Sequence, residues 1–183
     1  APGCMSTAPA AGEQQQRART PISAARRTAR NGSCDRRGMT DNRGMTRSFV
    51  GLGGNLEDPR AQIERALGLL AAEDGVEVIA VSTLRETDPV GYEDQPRFLN
   101  GAAELQTSLE ARELLERLLA IERRLGRVRG AGPRFGPRTL DLDLLLHGDQ
   151  VIAEPGLVIP HPRLHERRFA LEPLAELDPA LEI

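Results

Sequence analysis

The chain has 183 residues and a formal net charge of −3, from 24 basic against 27 acidic side chains. Every basic residue is arginine, which excludes a Walker-type lysine on phosphates, a Schiff-base lysine and a kinase strand lysine. Phosphate chemistry would have to rest on metal and on guanidinium groups, whose planar fork binds phosphate oxygens bidentately.

The charge is unevenly spread. Residues 1–48 carry nine arginines against Glu13, Asp35 and Asp41, a net of +6, while residues 49–183 carry fifteen arginines against 24 acids, a net of −9. The first segment also has few large apolar residues, and so cannot bury enough surface to offset its ordering entropy. Residues 1–47 are therefore expected to be a disordered basic tail, and 48–183 one folded domain. The tail reads as dispensable, or as sequence ahead of a start at Met39 or Met45. A nucleic-acid arm or an arginine-rich targeting peptide is the competing reading; the lack of aromatics among the arginines argues against nucleic acid. Cys4 and Cys34 both lie in this tail, so a reducing, cytoplasmic setting is the default and no disulfide framework is expected. No apolar run approaches the ~20 residues of a membrane span.

Residues 48–53 read as a short strand closing in the turn Gly53-Gly54-Asn55. Asp58 and Pro59 open a helix with the buried stripe Ile63, Ala66, Leu67 and Leu70. Val76, Val78 and Ala80 alternate with Glu77 and Ile79 in a second strand. Residues 86–97, with Pro89, Gly91 and Pro96, form a long loop, and 98–106 a third strand. Thr107 and Glu110 make a capping box ahead of a helix buried through Ala111, Leu114, Leu115, Leu118, Ile121 and Leu125, and stopped by Gly126. A second loop, 127–138, carries Arg127, Arg129, Arg134 and Arg138. A leucine-rich strand, a return at His147-Gly148-Asp149, a short strand at Val151-Ile152 and a helical turn or two around 166–176 complete the domain. The order βαββαββ suits an α+β, ferredoxin-like sandwich, with helices packed on one face of a mainly antiparallel sheet.

The leucine-rich strand holds the informative residues. With side chains alternating, Asp141 and Asp143 share one face, continued by Leu145, while Leu140, Leu142, Leu144 and Leu146 share the other. Two carboxylates roughly 6.5–7 Å apart suit one or two hard cations, magnesium rather than zinc given oxygen ligands and no nearby cysteine. The bland alternative is a strand whose polar face meets water. The pair His161 and His165 does not read as a zinc site, because Pro160 and Pro162 argue against a helix across it. Gly51-Leu52-Gly53-Gly54 lacks the dinucleotide-loop spacing.

Gly51 to Asn55, Thr87-Asp88-Pro89, Gln95 to Asn100, Glu122 and Gly126 to Arg129 form a series that continues through Arg134-Phe135-Gly136-Pro137-Arg138-Thr139-Leu140-Asp141-Leu142-Asp143 and Pro160 to Phe169. On these motifs, in this order, residues 48–183 resemble the 6-hydroxymethyl-7,8-dihydropterin pyrophosphokinases of the folate pathway. The resemblance implies an enzyme that moves the β,γ-pyrophosphoryl group of ATP to the pterin hydroxymethyl and releases AMP. Asp141 and Asp143 would hold two Mg²⁺ ions, with Arg127 and Arg138 as the catalytic phosphate clamp. Glu122, Arg127, Arg134, Arg138, His161 and Arg167 would bind ATP. Thr87, Pro89, Val90, Phe98, Asn100, Phe135, Asp141 and Phe169 would hold the pterin, Phe98 and Phe169 stacking on its faces. Partners would be these small molecules alone, with no nucleic acid or membrane, and the protein a monomer. Phe135 stands where the family often has tryptophan, and Gly156 where some members place an arginine, implying a weaker grip on ATP. The rivals are a D-x-D nucleotidyl or glycosyl transferase and a non-catalytic RNA-binding module.

Overall fold

The computed structural model describes residues 44–128 and 135–183. Strand β1 (Thr46–Gly54) runs down the middle of the main sheet. It begins two residues before the expected domain boundary, because Arg47 is tied into the fold by ion pairs to Glu104 at 2.7 Å and Asp178 at 2.6 Å. Helix α1 (Pro59–Leu70) starts as anticipated: Asp58 Oδ1 accepts the Ala61 N–H at 3.1 Å, and proline fills the first helical position. Strands β2 (Val76–Val81), β3 (Arg85–Thr87) and β4 (Phe98–Thr107) follow, then helix α2 (Ala111–Arg124) and strand β5 (Asp141–His147). The hairpin β6 (Ile152–Glu154) and β7 (Leu157–Ile159), a 3₁₀ turn at Leu164–Glu166 and helix α3 (Arg168–Leu177) end the chain.

The sheet order is β2-β4-β1-β5, all antiparallel, with β3 pairing the first residues of β4. Two βαβ halves interleave, since β4 lies between β1 and β2, which is the ferredoxin-like arrangement within an α+β sandwich. Val50, Leu52, Leu142 and Leu144 pack against Ile63, Leu70, Leu114 and Leu118 of α1 and α2. The opposite face is covered too: Phe49, Ala102, Leu145 and Leu146 pack against Leu164, Ala170 and Leu174. One-sided coverage was the expectation; the apolar half of this second face requires α3. Its other half carries Gly51, Gly53, Asn100, Asp141 and Asp143, and there a cavity opens.

Other local expectations change. Phe49 pairs with Leu146 but Val50 with Leu144, so Leu145 is an extra bulged residue and Leu146 joins the second face rather than the first. No capping box forms at α2: the helix starts at Ala111 with Glu110 at the cap and no side-chain cap bond, while Thr107 Oγ1 accepts the Leu109 N–H at 3.1 Å and donates to Gly75 O at 2.8 Å, closing the turn ahead of the helix. The start of the 86–97 loop is strand β3, and Gly156 makes the β6–β7 turn at a φ of 76°. No helix among the described residues is long and apolar enough to cross a membrane.

Candidate active site

The floor of the cavity is made by three strands. Asp141 lies across from Gly53 and Asp143 from Gly51, and on the other side Gly53 pairs with Asn100. A Cβ at residue 53 would come within 2.9 Å of Asn100 Oδ1, so any larger residue would have to displace that amide. Asn100 Nδ2 donates to Thr87 Oγ1 at 2.7 Å, linking β4 to β3.

Guanidinium groups close on the two aspartates. Helix α2 ends in a Schellman motif: Gly126 takes a φ of 88°, its N–H bonds Arg123 O, and the Arg127 N–H bonds Glu122 O at 3.0 Å. That cap turns Arg127 back under β5, where its Nη1 meets Asp141 Oδ1, the carbonyl of Leu140 at 2.9 Å and the buried carboxylate of Glu122. Glu122 also accepts the Leu142 N–H at 2.8 Å. Arg138 Nη1 meets Asp141 Oδ2, and Arg167 Nη1 meets Asp143 Oδ2 at 3.1 Å. Burial works against the charge on Asp141, but Arg127 and Arg138 outweigh it and hold the carboxyl below its usual range. Burial lowers the pKa of His161, against the pull of Asp143.

The aromatic residues divide sharply. Phe49 is fully buried in the second core, whereas Phe98, Phe135 and Phe169 are half-buried and line one cavity of about 330 Å³. A guanidinium covers each: Arg138 over Phe98 at 5.4 Å, Arg163 over Phe135 at 5.2 Å and Arg167 over Phe169 at 5.6 Å. Phe135 holds a φ of 65°, a backbone conformation that non-glycine residues seldom adopt. A flat ring system between aromatic faces, with anionic groups towards the arginines, is the ligand chemistry this arrangement accommodates.

The family model for 7,8-dihydro-6-hydroxymethylpterin-pyrophosphokinase (HPPK) matches residues 49–179. The chain belongs to this family. It is similar to the 2-amino-4-hydroxy-6-hydroxymethyldihydropteridine pyrophosphokinase of Pseudomonas aeruginosa, 48% identical over 139 residues, covering 76% of this chain and 85% of the relative. A protein of the same description from Bacillus subtilis is 48% identical over 130 residues, 71% of this chain and 77% of the relative. That of Methylorubrum extorquens is 44% identical over 139 residues, 76% of this chain and 87% of the relative.

Of the residues singled out from the pyrophosphokinase resemblance, the cavity gathers Thr87, Val90, Phe98, Asn100, Phe135, Arg138, Asp141, Asp143, Arg167 and Phe169. Pro89, Glu122, Arg127 and His161 do not line it; Arg127 and Glu122 stand behind Asp141, and His161 is anchored by its N–H to Leu145 O at 2.9 Å. Arg134 lies outside the described residues. Sequence reasoning missed Asn55, Gln95 and Arg163. Asn55 Oδ1 accepts the Arg138 N–H at 2.8 Å, and its Nδ2 donates to Gln95 Oε1 and Pro96 O. Gln95 in turn donates to Phe135 O at 2.8 Å. Asn55 and Gln95 fall inside the family motifs, so the signal was there, but nothing in the sequence named their partners.

Proposed function

We propose that this chain transfers the β,γ-pyrophosphoryl group of ATP to 6-hydroxymethyl-7,8-dihydropterin in folate biosynthesis. Beside family membership, one observation carries the reading: three half-buried phenylalanines and two same-face carboxylates flanked by arginines line a single cavity. In the reaction the hydroxymethyl oxygen attacks the β-phosphorus and loses its proton. The bond from that phosphorus to the α,β-bridging oxygen breaks, and AMP leaves with the oxygen.

The residues divide by chemistry. Phe98 and Phe169 stack on the pterin, with Phe135, Thr87, Pro89 and Val90 around it, and Asn100, which both donates and accepts, reads its amide edge. Arg127, Arg134, Arg138 and Arg167 meet the phosphates, with His161 and Glu122 on the nucleotide side, and Arg127 and Arg138 stabilise charge developing towards AMP. Asp141 is held ionised by two guanidinium groups, which makes it a poor base. Among the described residues Asp143 has one such partner, on Oδ2, leaving Oδ1 as the atom to take the hydroxyl proton.

Asp141 and Asp143 fit a hard divalent cation, being oxygen donors on one strand face at a ligand cavity. No group of three or more potential metal-ligating side chains occurs among the described residues, so the remaining ligands of two Mg²⁺ ions would be phosphate oxygens and water. Magnesium, when bound, neutralises charge on the triphosphate. The proposal includes a cytoplasmic monomer acting on small molecules alone.

The test is AMP formation from ATP and Mg²⁺ with and without the hydroxymethyl pterin. AMP should appear only when the pterin is present, in step with pterin diphosphate. Nucleotide turnover indifferent to the pterin would reject the assignment.

A further inference from the structure

Among the described residues four guanidinium groups line the cavity, and three are already matched to acids: Arg138 to Asp141, Arg167 to Asp143 and Arg168 to Glu172. Arg163 is the exception. Among the described residues its guanidinium pairs with no carboxylate, and its partner is the ring of Phe135, 5.2 Å away. A ring face is a weak partner for a cation that has given up part of its water. Such a group, facing a ligand cavity, is suited to an anion that arrives with the ligand.

Its anchor is firm. The Arg163 N–H donates to His161 Nδ1 at 3.3 Å, and the next residue, Leu164, is buried in the second core. Phe135 is held as well: Gln95 donates to its backbone carbonyl at 2.8 Å, and Gly91 packs so close that a Cβ there would lie 3.1 Å from the ring. Gly91 follows Val90, which itself lines the cavity, so Arg163 and Phe135 form the wall beside the aromatic subsite. Arg127 and Arg138, by contrast, bracket Asp141.

We propose that Arg163 is a binding residue for the pyrophosphoryl group, the anion shared by ATP and the pterin diphosphate product. This rests on the proposed function. The α-phosphate leaves with AMP, whereas the β,γ unit ends on the pterin, and a cation on the pterin-side wall serves the group that makes that crossing. Arg163 forms and breaks no bond; it holds the transferred group before and after transfer.

The experiment compares wild-type protein with Arg163→Met, which keeps an unbranched apolar stem but removes the guanidinium, and Arg163→Lys, which keeps the charge. Each is titrated calorimetrically with α,β-methylene-ATP plus Mg²⁺, pterin diphosphate, AMP and 6-hydroxymethylpterin. In R163M the first two should weaken about tenfold or more, the scale of a lost charge-assisted hydrogen bond, while the last two change less than about twofold. R163K should recover part of the loss. Equal weakening of all four ligands would make Arg163 a wall residue only, and unchanged affinity for the first two would also overturn the proposal. Failure of the functional reading looks different: wild-type protein would then ignore the pterin, while inorganic pyrophosphate titrated into wild type and R163M would still report on Arg163.

Discussion

The side-chain oxygen of Asn55 accepts the backbone N–H of Arg138 at 2.8 Å, and the Asn55 N–H donates to the Arg138 carbonyl at 2.9 Å. This two-point clasp fixes the segment that delivers Arg138 to Asp141. The same amide reaches Gln95 Oε1 at 3.0 Å and Pro96 O at 2.9 Å, so one buried side chain fastens two walls of the cavity. Asn55→Ala would leave several of these groups unpaired, costing about 1–3 kcal/mol of stability. Its effect on kcat/KM should be larger, about a hundredfold, the scale of ångström-level misplacement of a catalytic group. Asn55→Asp keeps the acceptor for Arg138 and loses both donors, and should fall between. Thermal unfolding and steady-state kinetics check this; wild-type kcat/KM in N55A would remove the clasp from the catalytic account.

The two aspartates should separate by stability though not by activity. Among the described residues Asp141 is paired with two arginines and its side chain is 18% exposed, while Asp143 has one pair and is 33% exposed. Asp141→Asn removes the carboxylate partner of Arg138 and one of the two partners of Arg127, and should destabilise by up to about 3 kcal/mol, discounted from the fully buried range. Asp143→Asn should cost about 1 kcal/mol or less. Both should lower the rate of AMP release by about a hundredfold or more, the scale of losing one electrostatic contact in a dry site. Urea unfolding and an AMP assay separate the two effects, and substantial turnover in both variants would reject them as metal ligands.

The two aspartates were legible because a strand has period two, and their shared face follows from spacing alone. The bulge at Leu145 was not, since a run of leucines is equally apolar in either register and only the pairing with β1 selects one. The capping box failed for a related reason: Thr107 is the last residue of β4, its hydroxyl tied to Gly75 O, 32 residues away, and to the Leu109 N–H, so the helix begins only after Glu110. Likewise Asn55 bonds Gln95 and Arg138 at separations of 40 and 83 residues, contacts no local pattern encodes. Phe98, Phe135 and Phe169 were marked by resemblance; residue type by itself did not distinguish them from Phe49 in the core.

Stability should fall on mild acidification. The His147 ring is 1% exposed, with Nδ1 2.8 Å from Ser48 Oγ, and burial lowers its pKa while Glu110 only partly opposes this. The folded protein therefore resists protonation more than the unfolded chain, whose imidazole titrates near 6.5. The neutral ring's contribution is complete above that pH and is lost as pH falls through the folded-state pKa, and His161 adds in the same direction. The slope is at most about 1.4 kcal/mol per pH unit for each proton. Urea midpoints between pH 7.5 and 5 should drop, and His147→Asn should flatten the decline. An unchanged midpoint across that range would mean that neither histidine is held neutral.

Glu122 offers a test between direct and indirect action on the nucleotide. Its carboxylate is buried, accepts the Leu142 N–H at 2.8 Å and pairs with Arg127, which in turn braces Asp141. Glu122→Gln keeps an oxygen for Leu142 but removes the charge that balances Arg127. Weakening one partner of a buried ion pair while keeping its hydrogen bond should cost about 1–3 kcal/mol, less than outright deletion. Acting through Arg127, the substitution should lower kcat by a similar factor for ATP and for a purine triphosphate with altered base edges, with KM little changed. Contact with the nucleotide base would instead appear as a change in preference between the two. Steady-state kinetics with both triphosphates decides it: a shifted preference would turn Glu122 towards the ligand, and a uniform fall in kcat would leave it as the residue that positions Arg127.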